Sequence, residues 1–177
     1  MTATGIVRRI DELGRIVIPK EIRKSLHIRE GDPLEIIVGD GEVAFRKYSP
    51  LENLAGFAKE VASELSAAIG RPVAVSDGER VIAAAGAGKR EAEGKPLSEN
   101  MKTLFITRGN YFVGQGGPPP ELYEGCPHTV AAVLPVISDS SAIGIMAVAS
   151  VDGVSPLSDA DRRLLMLSAS LLGKRAE

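Results

Sequence analysis

Long apolar runs are missing from this chain of 177 residues. No stretch approaches the roughly 18 apolar residues of a membrane-spanning helix. Met1 leads into Thr2-Ala3-Thr4-Gly5-Ile6, not into a basic and then apolar leader. Cysteine is nearly missing as well. Cys126 stands alone, which excludes an intrachain disulfide framework and fits a reducing compartment. His27 and His128 are the only histidines, and one Cys with two His cannot make a standard zinc site without carboxylates or a second chain. Low-complexity tracts are absent too. At 44 % hydrophobic and 25 % charged, the composition is that of a folded, soluble protein. The expectation is a cytoplasmic chain with no membrane partner.

Legible catalytic chemistry is also lacking. Cys126-Pro127-His128 puts a thiol near an imidazole, but sequence neighbours are not thereby nucleophile and base; those must meet in space with a third group to orient them. Cys126 reads as a packed thiol. The loop from Ala84 to Arg90 is glycine-rich and ends basic, so it can cradle an anion. It fails as a nucleotide-binding Walker A loop, because the spacing is wrong and Arg90 stands where Ser or Thr is required. It reads as a mobile connection. No catalytic residue, metal site or cofactor is assigned, and the expectation is that the chain is not an enzyme.

An overall excess of positive charge is missing, since the formal net charge is −2. That average hides a segregation. Residues 1–29 carry seven bases (Arg8, Arg9, Arg15, Lys20, Arg23, Lys24, Arg29) against three acids (Asp11, Glu12, Glu21), a balance of +4. Residues 30–45 carry five acids and no base, and from residue 51 onward fifteen acids outweigh twelve bases. Positive charge gathered at one end is what a phosphate-binding face needs. An ordinary solvated surface reads the same from charge alone.

What is present divides at about residue 50. Gly5-Ile6-Val7 and Ile16-Val17-Ile18 are short apolar runs around the turn Asp11-Glu12-Leu13-Gly14. Pro19 sits where a helix can begin, and Lys20 to Leu26 makes about two turns. Leu34 to Val38 and Glu42 to Lys47 read as strands around Gly39-Asp40-Gly41, a hairpin signal because Asp-Gly tolerates the positive φ of a type I′ turn. The pattern is β-β-α-β-β. So short a unit buries little on its own, and its first two strands offer apolar residues to both faces, so an obligate dimer is expected.

Ser49-Pro50-Leu51-Glu52 is a helix start, and one helix is expected from there to Gly70, with Leu51, Leu54, Ala58, Val61, Leu65 and Ala68 along one stripe. A similar stripe (Leu157, Ala160, Leu164, Leu167, Leu171) ends the chain, with Ser158 and Asp161 placed for a capping box. Packing within the domain and bundling between partner chains are both open for these stripes. Between them, Val73 to Ser76, Val81 to Ala85, Tyr111 to Gly114, Thr129 to Val136 and Ile143 to Val151 read as strands, Leu97 to Thr107 as a helix, and Gly116 to Pro120 as a loop. The fold class is α+β.

The run from Thr4 to Leu26 (TGIVRRIDELGRIVIPKEIRKSL) and Ile28-Arg29-Glu30-Gly31-Asp32-Pro33-Leu34-Glu35-Ile36 resemble the AbrB family of transition-state regulators. The strand-loop-strand from Leu134 to Val148 is similar to GAF domains. The resemblance implies residues 1–50 as a swapped-hairpin β-barrel formed by two chains. It implies residues 51–177 as a GAF-like sensor and oligomerisation domain behind a linker helix. It further implies a sequence-tolerant regulator of sporulation genes, both activator and repressor. Double-stranded DNA is the implied partner, at the nucleoid. The matching DNA-contacting positions are Arg8, Arg15, Arg23 and Lys24, with Arg9 and Lys20 as supporting phosphate contacts. The family often has Arg where Lys24 stands, and lysine lacks the flat bidentate fork. A dimer through the barrel, a tetramer of the whole chain and an unidentified small ligand are the further expectations. An antitoxin-like protein with a protein partner is the alternative, against which stands a patterned second segment where antitoxins carry short, acidic, disordered tails.

Overall fold

The computed structural model describes residues 5–176 except 27, 29, 116, 151, 152 and 154. His27, Arg29, Gly116 and Val151, which enter the expectations above, lie outside the described residues. The chain divides into two compact units, Met1–Tyr48 and Ser49–Glu177.

In the first unit, helix α1 spans Lys20–Ser25. Strands β1 (Leu34–Gly39) and β2 (Glu42–Lys47) pair antiparallel from Leu34↔Lys47 to Gly39↔Glu42. The connection is the expected two-residue turn, with Asp40 at φ 47° and Gly41 at φ 79°. Glu35 and Arg46, opposite each other in the ladder, form an ion pair of 2.7 Å. The expected strands at Gly5-Ile6-Val7 and Ile16-Val17-Ile18 do not form in the single chain. A strand exists by its ladder. Among the described residues, the backbone bonds of this stretch are those of the turn, Asp11 N to Arg15 O (3.1 Å) and Gly14 N to Asp11 O (2.9 Å).

The second unit is a five-stranded antiparallel sheet in the order β4-β3-β7-β6-β5. Its strands are β3 (Val73–Ser76), β4 (Val81–Ala85), β5 (Tyr111–Phe112), β6 (Thr129–Ser138) and β7 (Ser141–Ser150). The side-chain period of two splits the sheet into two apolar faces. Met146 and Val148 of β7 face Val61, Leu65, Leu165 and Leu172 of helices α3 (Ala55–Ile69) and α6 (Asp159–Arg175). Ile145 and Ala147 face Met101 of α5 (Glu99–Thr107) and Leu122 and Tyr123 of the following loop. The expected loop between β6 and β7 is only Asp139 and Ser140, both at positive φ, so the two strands run to 138 and start at 141. The expected strand from Tyr111 to Gly114 is only the two residues of β5.

Three further expectations are corrected. The helix from Pro50 to Gly70 is two, α2 (Pro50–Asn53) and α3, broken at Leu54. Leu54 N bonds back three residues to Leu51 O, and Asn53 and Gly56 around the break are weak helix formers. The break lets Leu51, fully buried, seat against Gly144 of β7. The segment after β4 is not a loop throughout, because Lys89–Ala92 make one helical turn, α4, behind Gly88 at φ 74°. The last helix buries a different stripe from the one its spacing predicts: Leu165, Ala169, Leu172 and Gly173 face inward, whereas Leu164, Leu167 and Leu171 are exposed.

Candidate nucleic-acid interface

The six basic side chains singled out in the first unit are all solvent-exposed. They come from two local structures. The first is the turn at residues 11–14, where Gly14 takes the left-handed conformation (φ 74°) that closes it. Asp11 organises it. Its Oδ1 accepts from Leu13 N (3.0 Å) and Arg15 N (2.8 Å), and its Oδ2 accepts from Arg15 Nε (2.8 Å). The hydrogen bonds from the Arg15 backbone and then from its guanidinium hold the Asp11 carboxyl below the ordinary carboxylate range. The Arg15 side chain is nonetheless 71 % exposed. Among the described residues, Arg8, before the turn, makes only a long bond of 3.4 Å to the neighbouring Val7 carbonyl.

The second is α1. Pro19, at φ −57°, flanks its N-terminus, and Arg23 N donates to the Pro19 carbonyl. Glu21 in the first turn and Arg23 and Lys24 in the last suit the helix dipole. Lys20 lies three and four residues before Arg23 and Lys24, which brings the three cations to one side of the helix. Lys20, Arg23, Lys24 and Arg9 form no ion pair among the described residues, so their charge is held out to water. Sequence reasoning missed the part played by Asp11. Its signal was an acid opening a Gly-closed turn four residues before an arginine.

A second constellation lies in the C-terminal unit. Lys89, Tyr123, Cys126 and His128 line a hollow of about 30 Å³ floored by Ala74, Ala84, Ala147 and Val130. The floor is alanine-rich, so the side chains above the sheet leave space there. The turn carrying Cys126 closes with Cys126 N donating to Tyr123 O (3.0 Å). Gly88 approaches His128 so closely that a Cβ would lie 2.9 Å from Nε2. Burial, followed by the neighbouring Cys126, raises the Tyr123 hydroxyl above its ordinary value and keeps it neutral. Cys126 is half-buried and free. Cys126 and His128 thus line one hollow with the nearby Tyr123 and with Lys89, which is remote from them in the chain. Among the described residues no three His, Cys, Asp or Glu cluster to hold a metal, and no helix is long and apolar enough to cross a membrane.

Comparisons with known proteins divide the chain at nearly the same place. Residues 53–177 match the family "Stage V sporulation protein T C-terminal, transcription factor". Residues 7–52 match the family "Antidote-toxin recognition MazE, bacterial antitoxin". The chain is 38 % identical to Stage V sporulation protein T of Bacillus subtilis (strain 168) over 180 aligned residues, covering 100 % of this chain and 99 % of that protein. It is 56 % identical over 50 residues to the Transition state regulatory protein AbrB of the same organism, covering 28 % of this chain and 52 % of AbrB. Among solved structures, the GAF domain/HD domain protein from Geobacter sulfurreducens matches at 16 % identity with a TM-score of 0.51, covering 70 % of this chain and 91 % of that one. That likeness is one of fold, and it shows a GAF-like α+β architecture. With the full-length relative and the C-terminal family in agreement, the chain belongs to the stage V sporulation protein T family.

Proposed function

We infer that this protein is a DNA-binding regulator of transcription in sporulation, and that its first unit meets the duplex as a two-chain barrel. The observation that carries the reading is the set of exposed cations at Arg8, Arg9, Arg15, Lys20, Arg23 and Lys24, of which only Arg15 has a carboxylate partner among the described residues. Arginine grips phosphate or the guanine O6/N7 edge through two N–H donors, and lysine supplies a point charge to phosphate. Contacts scattered over a turn and a short helix favour DNA shape and deformability over a strict base code. That suits a regulator able to activate at one promoter and repress at another.

The second chain is argued from burial. Among the described residues of the first unit only Pro19 is buried, while Val7, Val17 and Val38 are 84, 73 and 76 % exposed and Ile10 and Phe45 are exposed beside them. A unit without a core of its own needs a partner to supply one. The unpaired stretches at 5–7 and 16–18 are then the strands that pair across the two chains. A dimer doubles each basic position. In the C-terminal unit, the exposed line of Ala160, Leu164, Leu167 and Leu171 on α6 is the surface through which two such dimers form a tetramer. A small ligand that modulates binding would enter at Lys89, Tyr123, Cys126 and His128 only if their hollow, about 30 Å³, widens. The protein acts on nucleoid DNA in the cytoplasm. The named relatives are regulators, and no enzymatic role is proposed.

The antitoxin match over residues 7–52 favours a second reading, in which the barrel serves a protein partner. Where such proteins carry a short disordered tail, this chain carries a folded five-stranded unit.

The test is fluorescence anisotropy of a labelled AT-rich duplex titrated with the full chain at several salt concentrations, beside the Arg15→Ala/Arg23→Ala variant. Each lost phosphate contact lowers the slope of log K against log salt by about 0.9. A dimer loses four such groups, so the variant is expected to bind more weakly with a slope flatter by up to about 4. Equal binding by both proteins, or none by either at low salt, contradicts the reading and favours the protein-partner one.

A further inference from the structure

We propose that Asp11 is a positioning residue for DNA recognition, holding Arg15 as a preorganised fork aimed away from the turn. The proposal rests on the DNA-binding reading above and adds to it an acidic residue within the basic segment. Electrostatics alone gives Asp11 the wrong sign, because a carboxylate on a face that meets phosphate repels it. The geometry supplies a different role.

One carboxylate oxygen closes the turn through the Leu13 and Arg15 amides, at 3.0 and 2.8 Å. The other takes Arg15 Nε at 2.8 Å. An arginine has five N–H donors in a fixed plane, and Nε lies at the inner corner of the fork. Gripping Nε therefore restrains the guanidinium and leaves both terminal nitrogens, with four N–H donors, without a protein partner among the described residues. The Arg15 side chain makes no further hydrogen bond among the described residues, and it is 71 % exposed. An arginine loose on a turn loses rotamer freedom on binding; one already held does not, and that saving appears as affinity. Asp11 thus trades a modest repulsion for a fork of fixed direction, doubled in a dimer.

Two variants separate these roles. Asp11→Asn is nearly isosteric, and its amide oxygen still accepts from Leu13 N and Arg15 N, so the turn is kept. Its amide nitrogen is a donor and cannot accept from Arg15 Nε. Asp11→Asn, Arg15→Ala and the double variant are titrated as full chains against the same labelled duplex. The expected result is binding about fivefold weaker for Asp11→Asn, although a negative charge has been removed. In the Arg15→Ala background the same substitution is expected to have no effect or to tighten binding slightly. Such non-additivity is a direct coupling between the two residues that turn stability alone would not produce. Equal or tighter binding by Asp11→Asn, with Arg15→Ala weakened, overturns the proposal and leaves the DNA-binding reading standing. Arg15→Ala binding like wild type overturns the proposal, and no binding by any of these proteins at low salt overturns the DNA-binding reading as well. Should Asp11→Asn unfold the turn, as judged from amide chemical shifts, Arg15→Lys decides. It leaves Asp11 and its turn intact, and its Nζ cannot serve carboxylate and phosphate as a fork does. Binding several-fold below wild type supports the proposal, and wild-type binding overturns it.

Discussion

At the scale of single residues, two glycines show how closely the second unit is packed. Gly173 sits in the last turns of α6 against the backbone of β6, where an added Cβ would overlap the Ile137 carbonyl oxygen. Backbone cannot retreat as a side chain can. Gly173→Ala is therefore expected to lose about 2–3 kcal/mol in urea unfolding, although alanine is the better helix former by roughly 1 kcal/mol. Gly56, in the first turns of α3, has open space where its Cβ would be. There the same substitution is expected to be neutral or to stabilise by about 0.5–1 kcal/mol. Equal losses at both sites would mean that the close approach of α6 to β6 does not set the stability of the unit. The residue scale is also where the sequence was least explicit about function. The charge pattern displayed Arg8, Arg15 and Arg23, yet the grip of Asp11 on Arg15 required the turn in three dimensions, because it depends on which oxygen faces which nitrogen.

At the scale of elements, the parts legible in the sequence are those specified locally. Asp40-Gly41 dictates its own hairpin through backbone conformation. Ser49 and Ser158 cap their helices as their spacing to Glu52 and Asp161 requires, each hydroxyl accepting from the amide three residues on. The strands β3 and β4 fall where their apolar runs lie, with the Asp77 carboxylate closing the turn between them. The rotation of α6 was not legible, because Leu164, Leu165, Met166 and Leu167 are consecutive and the helix is apolar on more than one side. Gly173 belongs to the buried stripe, and its lack of a side chain lets the helix approach the Ile137 backbone of the sheet. Of the stripe that spacing favoured, Leu157 before the helix is buried and the helical part faces solvent, with Leu167 67 % exposed. Leu167→Lys is accordingly expected to leave the far-UV circular dichroism and the unfolding midpoint nearly unchanged. In light scattering after gel filtration it should shift the assembly from four chains to two. An unchanged mass would place the tetramer contact elsewhere.

At the scale of the whole molecule, a chain folds one half by itself and leaves the other incomplete. Residues from Ser49 onward bury leucines, valines and methionines on both faces of a five-stranded sheet. The described residues among the first forty-eight hold a hairpin, a turn and a short helix, and only Pro19 among them is buried. In the proposed two-chain barrel, the missing strands at 5–7 and 16–18 have the same physical origin as that exposure, since a second copy would complete both ladder and core. The clustered charge and the doubled apolar faces were visible in the sequence, whereas the hollow at Lys89, Tyr123, Cys126 and His128 was not. Tyr123, Cys126 and His128 are near neighbours in the chain, but only the fold brings Lys89 and the alanine floor to them.

The central claim is that the basic segment becomes a DNA-binding face only when two chains complete it. Native mass spectrometry of the full chain mixed with a short labelled duplex at low ionic strength tests it most directly, because it counts chains per duplex. Complexes with two or four chains and none with one are the predicted result. A duplex carrying a single chain as a major species would contradict the account.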